Sequence, residues 1–132
     1  MDELIQAYKE TSFNIYEPLI TIKVDEKNIK LDELLKSHNQ HEWAYITAWN
    51  PYSELTSLKI NQQRNQELKA DLKKYIIFEG EGVGADPNWV PEQSFLVLGI
   101  TREDAIKIGR NYRQNAIVVG SFQSVAELVW IK

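Results

Sequence analysis

Side chains that can recognise an anion are concentrated in the second half of the chain, beside predicted turns and helix ends. Amide groups and arginine guanidinium groups bind phosphates and carboxylates through directed N–H donors. Because these groups do not readily transfer protons, the set favours binding over catalysis. The candidate ligand-binding residues are Asn50, Ser53, Asn61, Arg64, Glu92, Ser94, Arg110, Gln114 and Asn115.

One predicted helix, residues 59–73, positions part of this set. A helix N-terminus presents free N–H groups and a positive dipole end, which suits an anion, and Arg110 or Arg113 is expected nearby. The alternative is that Arg64 forms a buried structural bridge with Glu79 or Glu92. The inward stripe of the helix, at i, i+3 and i+4 spacing, consists of Asn61, Arg64, Asn65, Leu68 and Leu72.

A long loop is predicted over residues 80–92, where its length indicates a functional or a disordered segment. Trp89 either anchors this loop or offers a ring for stacking. The GEGVG stretch is not followed by a helix or by Lys-Ser/Thr, which excludes a phosphate loop, and its glycines are more typical of turns. The acidic side chains in and beside the loop match no calcium-binding spacing, so no metal site is predicted; they are Glu79, Glu81, Asp86 and Glu92.

Composition narrows the classes of function. The chain has 132 residues, which fits one domain, and it contains no cysteine, which excludes disulfides and cysteine nucleophiles. His38 and His41 lie in a polar segment and are interpreted as surface residues. A net charge of −4 disfavours nucleic acid as a partner. The start of the chain lacks a signal-peptide pattern and no apolar run approaches the ~20 residues of a membrane span, so a cytoplasmic location is expected.

The pattern of elements predicts a single α+β domain. Residues 1–42 are interpreted as N-terminal additions, with a helix over 2–10, a strand over 20–24 and a short helix from Asp32. From residue 43 to 131 the order is βαββαββ, and its first six elements match the split βαβ arrangement of ferredoxin-like folds, with a mixed or antiparallel sheet and helices mainly on one face. Another α+β sheet is the alternative. The predicted core elements are strand 43–49, helix 59–73, strands 75–78 and 94–100, helix 102–112, and strands 116–119 and 127–131.

In the split βαβ order, several turns and element ends lie at the same edge of the sheet. These include the end of strand 43–49, the start of helix 59–73, the long loop and the start of strand 116–119. The candidate residues above belong to these segments, so the topology predicts that they lie close together.

Five segments of the chain carry a family resemblance. They are ITAWNPYS at 46–53, NQQRNQEL at 61–68, the stretch 79–110, QNAIVVG at 114–120 and ELVWI at 127–131. In order and spacing they are similar to the bacterial domain of unknown function 3293 family, whose pattern falls on the candidate residues named above, together with Pro51 and Ala116. The resemblance implies a small bacterial, cytoplasmic, stand-alone domain, and it implies no particular activity.

Three functions are compatible with these features. The favoured hypothesis is a binding module for a small anionic ligand, nucleotide- or phosphate-like. The alternative is a protein-interaction module of inhibitor or immunity type, anchored by an exposed Trp89 and the acidic loop. The third is an enzyme in which Glu79 or Glu92 acts as a base. No cofactor is identified.

Overall fold

The computed structural model describes residues 2–132, in which four α-helices and seven strands form one α+β unit. The helices are α1 (Asp2–Glu10), α2 (Ile29–Ser37), α3 (Leu58–Asp71) and α4 (Arg102–Asn111). The strands are β1 (Ser12–Ile15), β2 (Ile20–Ile22), β3 (Glu42–Ile46), β4 (Ile76–Val83), β5 (Glu92–Leu98), β6 (Ala116–Ser121) and β7 (Glu127–Trp130).

The strands form one sheet in the order β2-β1-β4-β5-β3-β6-β7, and each neighbouring pair of strands is antiparallel. The sheet curls into a half-barrel. Just beyond the two edge strands, Val24 and Ala126 form an isolated parallel bridge, and the Asp25 amide donates to the Ala126 carbonyl at 2.8 Å. The curl therefore brings the two edges together, which protects unpaired strand groups.

Two apolar clusters occupy opposite faces of the sheet. The inner cluster contains Ile20 of one edge strand and Ala126 beside the other, so the sheet wraps around it. Leu31 and Leu35 of α2 also belong to this inner cluster, whereas α3 and α4 pack on the outer cluster. The two helices of the predicted core, α3 and α4, therefore share one face, and α2 of the N-terminal part covers the other. Alternating side chains make both faces of the central strands apolar, and each face needs its own cover.

Side-chain caps set the starts of three helices. The side chains of Asn28, Ser57 and Thr101 accept hydrogen bonds from Leu31, Ile60 and Asp104 amides at the first turns of α2, α3 and α4. The start of α4 agrees with the helix predicted over residues 102–112. Each cap joins residues three apart in the chain and is therefore local.

The predicted loop over residues 80–92 is too long at its N-terminal end. Strand β4 continues to Val83, so that residues 84–91 remain as the connection to β5. Gly80 lies within the strand because β1 packs directly against it: a Cβ at Gly80 would stand 1.8 Å from the Asn14 carbonyl oxygen. The pairing of β1 with β4 thus overrides the turn preference of these glycines.

Candidate functional site

Two buried amides of α3 hold the chain where it leaves β3. Asn61 Oδ1 accepts from the Asn50 amide at 2.8 Å, and Asn61 Nδ2 donates to Asn50 Oδ1 at 2.9 Å. Asn65 Oδ1 accepts from the Ala48 amide at 2.8 Å, while its Nδ2 donates to the Gln93 carbonyl at 2.7 Å. The predicted inward stripe of α3 is confirmed, and its amides hydrogen-bond the neighbouring chain.

The turn that follows is strained and firmly held. Asn50, Tyr52 and Ser53 have φ of 44°, 54° and 62°, values that are uncommon for residues with a side chain. The Tyr52 amide donates to the Arg113 carbonyl at 2.6 Å, and Asn115 Nδ2 donates to Ser53 Oγ at 2.8 Å. These bonds offset the cost of the backbone geometry and place Ser53 on the wall of a cavity.

The two arginines of the predicted site, Arg64 and Arg110, do not lie at this turn. Arg64 Nη2 donates to the Tyr112 carbonyl at 3.2 Å, and the guanidinium carbon lies 5.8 Å from the centre of the Tyr112 ring. A bridge from Arg64 to Glu79 or Glu92 does not form, since Glu79 pairs with Lys69 at 3.8 Å. Arg110 is exposed on α4. Neither arginine lines the cavity.

A cavity of about 850 Å³ lies among α1, the inner face of the sheet and loop 84–91. Small side chains leave room for the cavity. Gly82, Ser94 and Ala116 line it, whereas other residues on the inner face of the sheet have large apolar side chains. Apolar surface predominates in the lining. Four aromatic residues line the cavity: Tyr8, Phe13, Tyr45 and Trp89.

Glu92 supplies a carboxylate to this mostly apolar wall. Its Oε2 accepts hydrogen bonds from Trp89 Nε1 at 3.0 Å and from Asn50 Nδ2 at 3.2 Å. Its Oε1 accepts none from the side chains or backbone of residues 2–132. Burial raises the pKa of Glu92, and the two hydrogen bonds oppose that rise without cancelling it.

The other charged groups of the cavity lining have the same sign. Within the described part of the chain, no lysine, arginine or histidine contributes to the lining. The charged groups of the lining are therefore all acidic, which was not foreseen from the sequence. The acidic lining residues are Asp2, Glu3, Glu10, Asp86 and Glu92.

The structure brings together part of the predicted site. Asn115 does not line the cavity, but it hydrogen-bonds Ser53, which does. Asn61 and Arg64 lie on α3, outside the cavity. The predicted site residues that line the cavity are Asn50, Ser53, Glu92, Ser94 and Gln114.

The sequence analysis missed the contribution of the N-terminal elements. Tyr8 of α1 and Phe13 of β1 line the cavity, although residues 1–42 were interpreted as additions to the core. The apolar spacing of Leu4 and Tyr8 was the available signal, since it marks a helix face that requires a partner.

Across residues 2–132, no group of three or more metal-ligating side chains is suitably placed to hold a metal ion. Over the same range, every helix is too short or too polar to cross a membrane.

The fold and the site define a small α+β protein with a curled antiparallel sheet and an acidic, largely apolar cavity. The family model described as "Protein of unknown function (DUF3293)" matches residues 46–117, more than half of the chain, and the chain belongs to this family. The predicted family resemblance is thereby confirmed. No curated protein and no solved structure matches the chain. The match excludes α1 and β1, which supply one side of the cavity.

Proposed function

We propose that this protein is a binding module for a small, largely apolar molecule held in the cavity beneath α1. The observation that carries the proposal is the cavity itself, about 850 Å³ in a 132-residue chain. Ligand sites occupy about 300–1,000 Å³, are mostly apolar and contain a few convergent polar groups. A concave pocket of this size with a mostly apolar lining is the expected place for a ligand.

Helix α1 supports the proposal as the movable side of the cavity. None of its residues is fully buried, whereas the strands opposite are rich in buried side chains. Its links to the rest of the molecule include an edge-on contact of the Tyr8 and Trp130 rings, 6.3 Å between centres, and the Tyr8 hydroxyl 3.3 Å from Ser53 Oγ. Such sparse packing lets the helix open at small cost and admit a ligand.

The anionic ligand expected from the sequence has weaker support. It required Arg64 and Arg110 at one site, and the cavity lining is acidic instead. A thermal-shift panel of nucleotides and phosphates on wild type and Arg64→Ala tests this alternative. A stabilisation that disappears in Arg64→Ala would favour the anionic ligand over the proposal made here.

Two observations bear on the remaining alternatives. The interaction module required Trp89 as an exposed anchor, and Trp89 is 36% exposed, although its indole N–H donates to Glu92 and is not free for a partner. The enzyme hypothesis gains a half-buried Glu92 with a raised pKa. It lacks an activated nucleophile, because the neighbouring hydroxyl of Ser53 is bonded to Asn115 and Tyr8 rather than to a base.

We also propose that the central strands form a split βαβ core. The four central strands run in the order β4-β5-β3-β6, and α3 and α4 connect β3 to β4 and β5 to β6. This order supports a split βαβ core with β1, β2 and β7 added at its two sides.

Gly82 offers a direct test of the cavity. Gly82 pairs with Phe13 of β1 on one side and with Glu92 of β5 on the other, and both of these residues line the cavity. Because directly paired residues point to the same face of a sheet, a side chain at position 82 would also point into the cavity. A Cβ at Gly82 meets its nearest neighbours at 3.8 and 3.9 Å, which is ordinary contact. Gly82→Leu should therefore fill the cavity without straining the strand, and Gly82→Ala is the matched control.

The probe is the neutral fluorescent amine N-phenyl-1-naphthylamine, whose emission rises in apolar surroundings. Wild type and Gly82→Ala should bind it with similar affinity, while Gly82→Leu should weaken binding by about tenfold or more. Undiminished binding by Gly82→Leu, or no binding by wild type, would overturn the proposed function.

A further inference from the structure

We propose that the ligand of this cavity is an amphipathic organic cation, and that the Glu92 carboxylate is its counter-ion. The inference rests on the proposed function and specifies its ligand class. Three features support it: the sign of the charges around the cavity, the accessible oxygen of Glu92, and the aromatic rings beside it.

The charges of the lining disfavour an anionic head group. Glu92 and Asp86 stand on the sheet and loop side, and Glu10 stands on α1. A carboxylate or phosphate brought among them would meet like charges, most strongly at half-buried Glu92, whereas an ammonium group would meet opposite ones. In the described residues that line the cavity there is no basic side chain to reverse this balance.

The hydrogen bonding of Glu92 is incomplete in a way that a cation would complete. Asn50 and Trp89 both donate to Oε2, and both are neutral donors. Oε1 has no hydrogen-bond partner among residues 2–132 and is not a buried atom, so a ligand can reach it. A half-buried carboxylate without a charged partner is costly, and an ammonium N–H on Oε1 would offset that cost.

Aromatic rings complete the recognition of a cation with an apolar body. Tyr8 and Trp89 approach from α1 and from the loop, on the side of the cavity where Glu92 stands. The faces of such rings attract ammonium groups. Farther along the wall, Phe13 and Tyr45 pack edge to face with centres 5.3 Å apart and offer an apolar surface to the remainder of the ligand.

A matched set of competitors isolates the charge of the head group. The compounds 4-phenylbutylamine, 4-phenylbutanol and 4-phenylbutyrate share one body and carry a positive, a neutral and a negative head. Each is titrated against wild type loaded with N-phenyl-1-naphthylamine. The amine should displace the dye at about tenfold lower concentration than the alcohol, and the acid should be the weakest.

Two variants assign the effect to Glu92. Glu92→Gln keeps an acceptor for Asn50 and Trp89 and removes the charge, so the advantage of the amine over the alcohol should fall to about threefold or less. Glu33→Gln makes the same change of net charge at an exposed position of α2 and should leave the advantage intact. An advantage that survives in Glu92→Gln would overturn the role of Glu92.

The outcomes separate the two proposals. Dye binding with equal displacement by amine and alcohol overturns the cationic ligand and leaves the cavity as a binding site. Absence of dye binding overturns the proposed function, and the inference with it. Preferential displacement by the acid overturns the inference in favour of an anion.

A pH series on wild type keeps the test valid if Glu92→Gln does not fold. The amine advantage should grow as pH rises, because ionised Glu92 is the species that pairs with the ammonium group. A flat or falling profile would overturn the inference. The other ionisable groups around the cavity are Asp2, Glu3, Tyr8 and Glu10 of α1, Tyr45 of β3 and Asp86 of the loop.

Discussion

The indole Nε1 of Trp89 donates a hydrogen bond to Oε2 of Glu92 at 3.0 Å. Asn50 Nδ2 donates to the same oxygen at 3.2 Å, so one carboxylate ties loop 84–91 to the turn that follows β3. Glu92 also lines the cavity. The order of the cavity wall and the charge of the cavity therefore depend on the same side chain.

Replacing Trp89 with Phe should loosen the loop. The substitution keeps a ring and removes the N–H donor, so a loss of about 0.5–1.5 kcal/mol in the free energy of unfolding is expected. Amide hydrogen exchange over residues 84–91 should become faster, as measured by mass spectrometry. Val90→Ala is the control, since Val90 is 70% exposed in the same loop. Equal exchange in the two variants would show that the hydrogen bond does not order the loop.

Stability should depend on pH through Glu92. Burial raises its pKa above the ordinary value of 4.5, so the folded state holds this proton more tightly than the unfolded state does. The resulting stabilisation is fully present below the unfolded pKa and is lost as pH rises through the folded pKa. Urea unfolding of wild type and Glu92→Gln between about pH 4 and pH 7 should therefore show wild type losing stability relative to the variant. A constant difference would contradict the raised pKa.

Asn61→Ala should be among the more damaging substitutions of a polar residue. It removes an amide that bonds both the backbone and the side chain of Asn50 and also the Thr56 carbonyl. Leaving these buried groups unsatisfied should cost about 2–4 kcal/mol of unfolding free energy in denaturant titrations. Gln62→Ala, at the exposed neighbouring position, should change stability by less than about 0.5 kcal/mol. Equal effects would mean that the amide contributes no specific stabilisation.

Gly80→Ala should weaken the junction of β1 with β4. The added methyl group would stand 1.8 Å from the Asn14 carbonyl oxygen, which is backbone and cannot swing aside. A loss of about 2 kcal/mol or more is expected. Gly84→Ala adds the same group where the nearest atom is 4.0 Å away, and it should have little effect on the melting temperature. Comparable melting temperatures for the two variants would show that β1 tolerates displacement.

The inward stripe of α3 illustrates which features of the site sequence reasoning reaches. The spacing of Asn61, Asn65 and Leu68 predicted one buried face, and all three are buried. The hydrogen-bond partners of these amides could not be predicted, because the Asn50 turn and Gln93 come from other parts of the chain. A buried amide looks the same in sequence whether it binds a ligand or the protein's own backbone.

Local patterns by themselves determined the helices, most strands, the cap at Thr101 and the membership of the family, since each depends on residues near one another in the chain or on their order. Tertiary structure decided where α1 and β1 lie, the strand identity of Gly80, and the separation of Arg64 from Glu92. It also decided the cavity, because an empty space is a property of packing between distant segments. The surroundings of the acidic residues also follow only from the tertiary structure, in which Glu92 lines a mostly apolar cavity and does not pair with an arginine.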